Sequence, residues 1–444
     1  MELRDLIVTP LIIFLVYVCA YLVRNYCTDG ITRRYYFPAL TIKIFGALAL
    51  GFIYQFYYQG GDTFAFHTHG SRHIWEAFME SPGKGFGLLF STGEFGPGLW
   101  DISEKIWYYD DQKSFFIIRI AAVLDLITFS SYSGTAVLFS VIGFTGGWML
   151  YLTFYRKYPQ LHRWLAVSCL FVPSVIFWGS GILKDTITLA FLGIATYCIQ
   201  LLFIDKRFKV GYFLLLLFSF FVMLSVKVYI LMSFLMAAVV WVFSAYFFKI
   251  RNSMLRILVV PFVLLLWGLL SYYGVNELVK DDPRYSFDKI AETVRITAYD
   301  IRYWTGKNAG SGYSLGELDG SVGSVVRLAP SAVNVSLFRP YLWEINNPLM
   351  LLAALESLAT LLITLWILFK AHKNILAAMG SPDVVFCLVF AVVFAFGVGV
   401  SSYNFGTLGR YKIPLFPYYF MALGIIAYRA NILRSHSGQE KATT

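Results

Sequence analysis

Apolar runs of about twenty residues recur along the chain, separated by shorter stretches rich in lysine, arginine, glycine and aromatic residues. A helix rises about 1.5 Å per residue, so about 20 apolar residues cross a hydrocarbon layer of about 30 Å. The pattern predicts spans at 6–23, 38–58, 133–154, 164–178, 185–204, 211–226, 229–248, 257–275, 348–369, 383–400 and 413–428, about eleven in all. The stretch 211–248 is too long for one crossing and divides around Lys227, where a lysine suits a tight outer turn. The first run, Leu6 to Val23, follows Arg4 and Asp5 and lacks a small-residue cleavage site, so it reads as a retained span. The fold class is all-α: a polytopic transmembrane helical bundle with amphipathic helices on its outer face, one integral membrane domain over 1–444.

Two long polar segments, 59–132 and 276–347, interrupt the runs. The first opens Gly60-Gly61-Asp62-Thr63 and predicts a helix from Phe64 to Met79, then a glycine-rich stretch from Pro82 to Pro97. The run from Ser114 to Leu126 is broken by Arg119 and Asp125, too short and charged to span; it suits an interfacial or re-entrant helix. The second segment has a helical stretch near Asp288 to Trp304 and a Gly/Ser-rich loop from Gly306 to Gly323. It ends at Asn347-Pro348, a helix start with proline in the first turn. Neither a fixed-period repeat nor an inverted pair of broken helices is evident, which counts against a secondary transporter.

Composition agrees with this pattern. Hydrophobic residues make up 58%, charged residues 14%, and mean hydropathy is +0.65, too little polar surface to cover a soluble core. The net charge of +10 does not imply a nucleic-acid partner, because the basic residues sit in short loops between apolar runs. Arg24, Arg33, Arg34, Arg156, Lys157, Arg163, Lys206, Arg207, Lys209, Lys249, Arg251, Arg256, Lys370, Lys373, Arg429 and Arg434 fall on one side by alternation. The other side holds Arg4, Lys184, Lys227, Arg410 and Lys412. The positive-inside rule makes the first side cytoplasmic. The N-terminus and both polar segments are then outside, and the tail 429–444 is cytoplasmic. The five cysteines form no CxxC pair and read as packing residues.

Candidate chemistry gathers on the predicted outer face. Asp62, after two glycines, is either a general base for an acceptor hydroxyl or a helix-cap turn residue. In Ser180-Gly181-Ile182-Leu183-Lys184-Asp185, Lys184 either holds a lipid-linked phosphate or snorkels. Asp185 orients it, binds the sugar, or belongs to an ordinary first helical turn. Lys227, Arg327, Arg339, Arg410 and Lys412 are further outer cations, for phosphate or for lipid headgroups. Trp343 and Glu344 beside Arg339 suit a sugar platform or an interfacial anchor. Glu356 lies inside the ninth span and needs a partner there. His67, His69 and His73 share the first outer helix, with His67 and Arg72 as substrate contacts. No zincin glutamate accompanies them, and they read as surface or interfacial residues with no metal or other cofactor.

Four motifs form a set: Gly60-Gly61-Asp62-Thr63 with His67; Ser180 to Asp185; Phe338-Arg339-Pro340 with Trp343-Glu344; and Asn404-Phe405-Gly406-Thr407-Leu408-Gly409-Arg410-Tyr411. Together they resemble bacterial multi-spanning proteins of cell-surface polysaccharide pathways, and the layout resembles GT-C membrane glycosyltransferases. That resemblance implies residence in the bacterial inner membrane and transfer of a sugar from a polyprenyl-phosphate donor, with Asp62 as the acid. The sequence departs from it in an extra span before the acid-bearing loop and in the lack of an acid beside Asp62. The late polar segment is similar instead to O-antigen polymerases and ligases. A transporter or flippase of lipid-linked anionic substrates would use the same cations without a base.

Overall fold

A computed structural model describes residues 2–94, 98–247, 268, 296, 299, 311–313, 315, 323 and 327–443, with 435–443 as backbone alone. Among the described residues every regular element is a helix, and the bridge between Gly312 and Asn404 is isolated. By internal contacts the chain divides into two compact units, Met1–Leu231 and Met232–Thr444.

The first unit opens with α1 (Leu3–Cys27) and α2 (Arg33–Phe56). Short pieces follow: α3 (Asp62–Phe66), a π turn (His67–Ser71), α4 (Arg72–Glu80), α5 (Pro82–Leu89), α6 (Trp100–Ser103) and the longer α7 (Gln112–Thr128). Then come α8 (Tyr132–Tyr155), α9 (His162–Leu170), α10 (Pro173–Trp178), α11 (Lys184–Ile199, prolonged by a π turn to Ile204) and α12 (Val210–Val226). The next helix, α13 (Val228–Phe247), runs into the second unit. That unit continues with α14 (Ala329–Phe338), α15 (Pro348–Ala371), α16 (Ile375–Met379), α17 (Pro382–Ser402), α18 (Phe405–Tyr411) and α19 (Leu415–Thr443).

Among the described residues seven helices are long and apolar enough to cross a membrane: α1, α2, α8, α11 with its π turn, α13, α15 and α17. The pair α18 and α19, bent by 64°, makes an eighth if counted as one crossing. These are the helices of a multi-pass membrane protein. The run 164–178 is not one helix. Pro173 lacks an N–H and biases Val172 to extended backbone (φ −71°, ψ 123°), which separates α9 from α10. The run 211–226 becomes α12, 17 residues long and short for a crossing. The division at Lys227 is present, with α12 ending at Val226 and α13 starting at Val228. The expected span 257–275, the helix near Asp288 to Trp304 and the loop Gly306–Gly323 lie outside the described residues, apart from isolated positions.

Glycine sets how the first unit packs. A Cβ on Gly143 would lie 3.3 Å from the Thr186 side chain, and one on Gly146 2.2 Å from the Ala190 carbonyl. One on Gly193 would meet Gly146 at 2.2 Å and Leu150 at 3.3 Å. The paired numbers rise together, so α8 and α11 run parallel in near backbone contact. That register puts Lys184 level with Val141, roughly 13 Å along α8 from Tyr132. On the other side of α8, α2 runs antiparallel: Gly51 faces Tyr132, and Tyr36 packs edge-on to Phe144 and Trp148 with centroids 5.2 and 5.1 Å away.

Gly146→Leu should therefore separate α8 from α11. Overpacking typically costs about 1–3 kcal/mol, with more expected where backbone meets backbone. The thermal midpoint of the purified protein in detergent should fall by several degrees. An unchanged midpoint would refute the close register.

Candidate functional site

The non-helical stretch from Gly179 to Leu183 links α10 to α11. Leu183 is extended (φ −140°, ψ 151°), and Thr186 Oγ1 donates to the Gly181 carbonyl at 2.7 Å. Helix α11 therefore begins inside the bundle with Lys184 and Asp185. Asp185 is buried and pairs with the buried Lys227, whose Nζ donates to Asp185 Oδ1. Lys227 occupies the break between α12 and α13, where its N–H still donates to the Met223 carbonyl at 2.8 Å. A lysine in an apolar interior needs such a partner.

Lys184 turns elsewhere. Its Nζ lies 3.4 Å from Asp111 Oδ2 and also feels the Asp62 carboxylate and the Lys227 ammonium. Asp111 is the N-cap of α7, accepting from Lys113 N at 3.2 Å and from Ser114 Oγ. Burial pushes its carboxyl up. The Ser114 hydroxyl and Lys184 outweigh that and hold it below the usual carboxylate range. Asp62 starts α3 after Gly60 (φ +141°) and Gly61 (φ +120°), a conformation that favours glycine. A Cβ on Gly61 would also strike the Tyr54 ring at 2.7 Å. In this unit, then, Lys184 pairs with Asp111 and lies within electrostatic reach of Asp62, beside the Asp185–Lys227 pair.

The structure revises several expectations. Lys184 and Asp185, expected at the outer membrane edge, start α11 about level with Val141 of α8. Lys227, expected as an exposed turn residue available to phosphate or headgroups, is buried against Asp185. His67 is fully buried, with Nε2 3.3 Å from Asp125 Oδ1, although neither ring nitrogen makes an aligned hydrogen bond. Asp125 accepts from Ser71 Oγ at 2.6 Å and Thr135 Oγ1 at 2.5 Å, so His67 belongs to a buried knot joining the π turn, α7 and α8. His69 stacks on Trp107 at 4.2 Å, and His73 Nδ1 meets Glu76 at 3.1 Å. Arg72 pairs with Glu2 at 2.6 Å.

In the second unit Arg339 forms a two-pronged ion pair with Glu344. Its guanidinium lies 5.7, 5.9 and 5.3 Å from the ring centroids of Tyr313, Tyr341 and Phe405. Burial pushes the Glu344 carboxyl up, but Arg339 and the Tyr341 N–H outweigh it and bring it below the ordinary range. Lys412 is buried too; its Nζ donates to the Arg339 carbonyl at 2.9 Å and to Ser357 Oγ at 3.2 Å, and it is attracted by Glu356. Arg339 and Lys412 are thus engaged within their own unit, not displayed to headgroups. Trp343 is 81% exposed and stacks on Tyr341 at 4.7 Å, as an interfacial anchor would. Arg410 is half-buried in the last turn of α18, and Arg327 is exposed.

Two residues passed over in the sequence complete this picture. Asp111 carried a visible signal, a cap aspartate with Ser114 three residues on, before an apolar run. Lys43, in the middle of α2, is buried and donates to the Val175 and Gly179 carbonyls at 3.0 and 2.8 Å, where α10 ends. A cation at a helix C-terminus is favourable. A lysine in the middle of a predicted span was itself the clue.

Removing one member of the buried pair should be severe. Lys227→Ala or Asp185→Ala should cost about 3–5 kcal/mol, while the double change to leucine should recover most of it. A double-mutant cycle on unfolding midpoints measures the coupling, and additive losses would refute the pair. In the second unit the lowered Glu344 carboxyl contributes stability present above its unfolded pKa. That contribution should be lost as pH falls from the ordinary glutamate range through its lower folded value. Glu344→Gln should flatten that acid limb of the melting curve, and a limb left intact would mean another group controls it. Comparison of the chain with family models, with curated proteins and with solved structures finds no match.

Proposed function

We propose that the protein is an integral membrane glycosyltransferase that moves a sugar from a polyprenyl-phosphate-linked donor during cell-envelope glycan synthesis. The observation that carries this reading is Lys184, coupled to Asp62 and Asp111 where α11 begins within a multi-pass apolar bundle. A lipid-linked phosphate entering between helices meets an ammonium at a depth where low dielectric strengthens the attraction. A general base within the same electrostatic cluster is what transfer to a hydroxyl needs in addition.

In the reaction, the acceptor hydroxyl gives its proton to Asp62 as its oxygen attacks the anomeric carbon. The bond from that carbon to the phosphate oxygen breaks, and the electron pair leaves with the phosphate. Lys184 stabilises the growing negative charge. Asp185 and Lys227 neutralise each other and hold the ends of α11 and α12, so their role is to position Lys184. The distribution of loop charges supports a bacterial inner-membrane orientation with the N-terminus and this chemistry outside and the tail cytoplasmic. The same layout accommodates a polymerase or ligase that transfers a longer glycan.

Asp62→Asn should leave binding of polyprenyl monophosphate within about twofold while turnover of a polyprenyl-phosphate sugar falls at least about 100-fold. Lys184→Ala should weaken that binding at least about tenfold. Both are measured on the full chain in nanodiscs, with radiolabelled donor. Turnover unchanged by Asp62→Asn would sink the transferase reading. Transport of the lipid that survives without any transfer would favour a flippase.

A further inference from the structure

A cavity of about 310 Å³ lies beside the Asp62 loop, between the ends of α1 and α2, the π turn and the start of α8. Gln55 and Gln59 line it from the end of α2, and neither side-chain amide has a hydrogen-bond partner among the described residues. The Thr68 hydroxyl lines it as well and is likewise unpartnered among them. Gln59 holds a left-handed backbone (φ +56°), a conformation glycine would adopt more readily.

The remaining walls narrow the ligand class. Phe64 stacks on Tyr132 at 4.5 Å and 22°, and both residues line the cavity. Glu2, Asp5, Arg72 and His69 line it too; Arg72 already pairs with Glu2 at 2.6 Å, and His69 stacks on Trp107. An anion would meet two carboxylates, and a cation would meet Arg72. An apolar ligand would strand two amides and a hydroxyl without partners. A neutral molecule with several hydroxyls satisfies all of them: amides and threonine both donate and accept, carboxylates accept from hydroxyl protons, and ring faces take C–H surface. The volume suits a ligand about one sugar ring in size.

We propose that this cavity is a binding site for a neutral monosaccharide unit, held by Gln55, Gln59 and Thr68 against the Phe64–Tyr132 pair. Gly60 lines the cavity and Asp62 follows two residues later, so a sugar seated here sits next to the loop that carries the acid. As the seat of the reacting sugar the site rests on the transferase reading; as a sugar-binding site it does not.

The test uses the full chain in detergent and saturation-transfer NMR, with the methyl glycosides of glucose, galactose and mannose as probes. At least one should bind with a millimolar or better Kd, and methyl phosphate should not compete. Gln55→Ala and Thr68→Val should each weaken that Kd at least fivefold, with thermal midpoints unchanged. Gln59→Ala, at an exposed position, serves if either variant fails to fold. The proposal falls if none of the three glycosides binds at 50 mM (about a thousandth of bulk-water molarity), or if all variants bind as the parent does. Binding lost in these variants, with turnover unaffected by Asp62→Asn, would keep the site and remove the transferase reading. Absent binding, with turnover abolished by Asp62→Asn, would do the reverse.

Discussion

A charge placed inside an apolar bundle must be met by an opposite charge or by several dipoles, and this chain meets that requirement where its helices break. Each break frees carbonyls or N–H groups that the helix would otherwise use. Lys43 covers the carbonyls left at the end of α10. Lys227 is itself the break between α12 and α13 and reaches Asp185. Lys412 lies in the bend between α18 and α19 and reaches the Arg339 carbonyl. Lys184 follows the extended stretch before α11. Breaks and lysines therefore stabilise one another: the open backbone gives the cation dipoles, and the cation makes the open backbone tolerable in the interior.

Lys184 differs from the other three in one respect. Lys43, Lys227 and Lys412 hold bonds of 3.0 Å or shorter to backbone or carboxylate oxygen, whereas the Asp111 oxygen is 3.4 Å from Lys184. Asp111 is also 44% exposed in its side chain, so this pair borders open space. A looser pair at an open edge can exchange its partner for a ligand phosphate at less cost than a sealed one. On the proposed reading, that contrast gives Lys184 the reactive role and its neighbours the supporting one.

The sequence made the bundle legible because continuous apolar character reports lipid exposure directly. It also exposed the division at Lys227, since an apolar run too long for one crossing must turn somewhere and the lysine marks the place. It misled at 164–178, where hydropathy is blind to backbone geometry and Pro173 decided the outcome. Asp62, Lys184 and Asp185 were visible as residues, but not the register that places Lys184 and Asp185 against α8. That register follows from glycine contacts between α8 and α11, about 43 positions apart in the chain, and no local pattern encodes that pairing. His67 was hidden differently. His67 lies on the same buried face as Thr63, Phe66, Gly70 and Ile74, and on that face it meets Asp125.

Small residues thus set the geometry of these charges at a distance. Gly46 receives the Ile176 carbonyl at 2.6 Å from where its Cβ would stand, and Gly181 receives the Leu50 side chain at 2.9 Å. These contacts fix the stretch before Lys184 against α2, and α2 ends in the Gln59-Gly60-Gly61 turn that delivers Asp62. The acid and the lysine come from positions 122 residues apart in the chain, yet both are referenced to one helix. A rigid common reference is what a proton acceptor and an anion-stabilising group require if they are to act on the same bond, since small misplacements weaken both effects steeply. Bulk added at Gly46 would shift Lys184 relative to Asp62 without touching either, so on the proposed reading the glycines of α2 matter to the site as much as the charges they align.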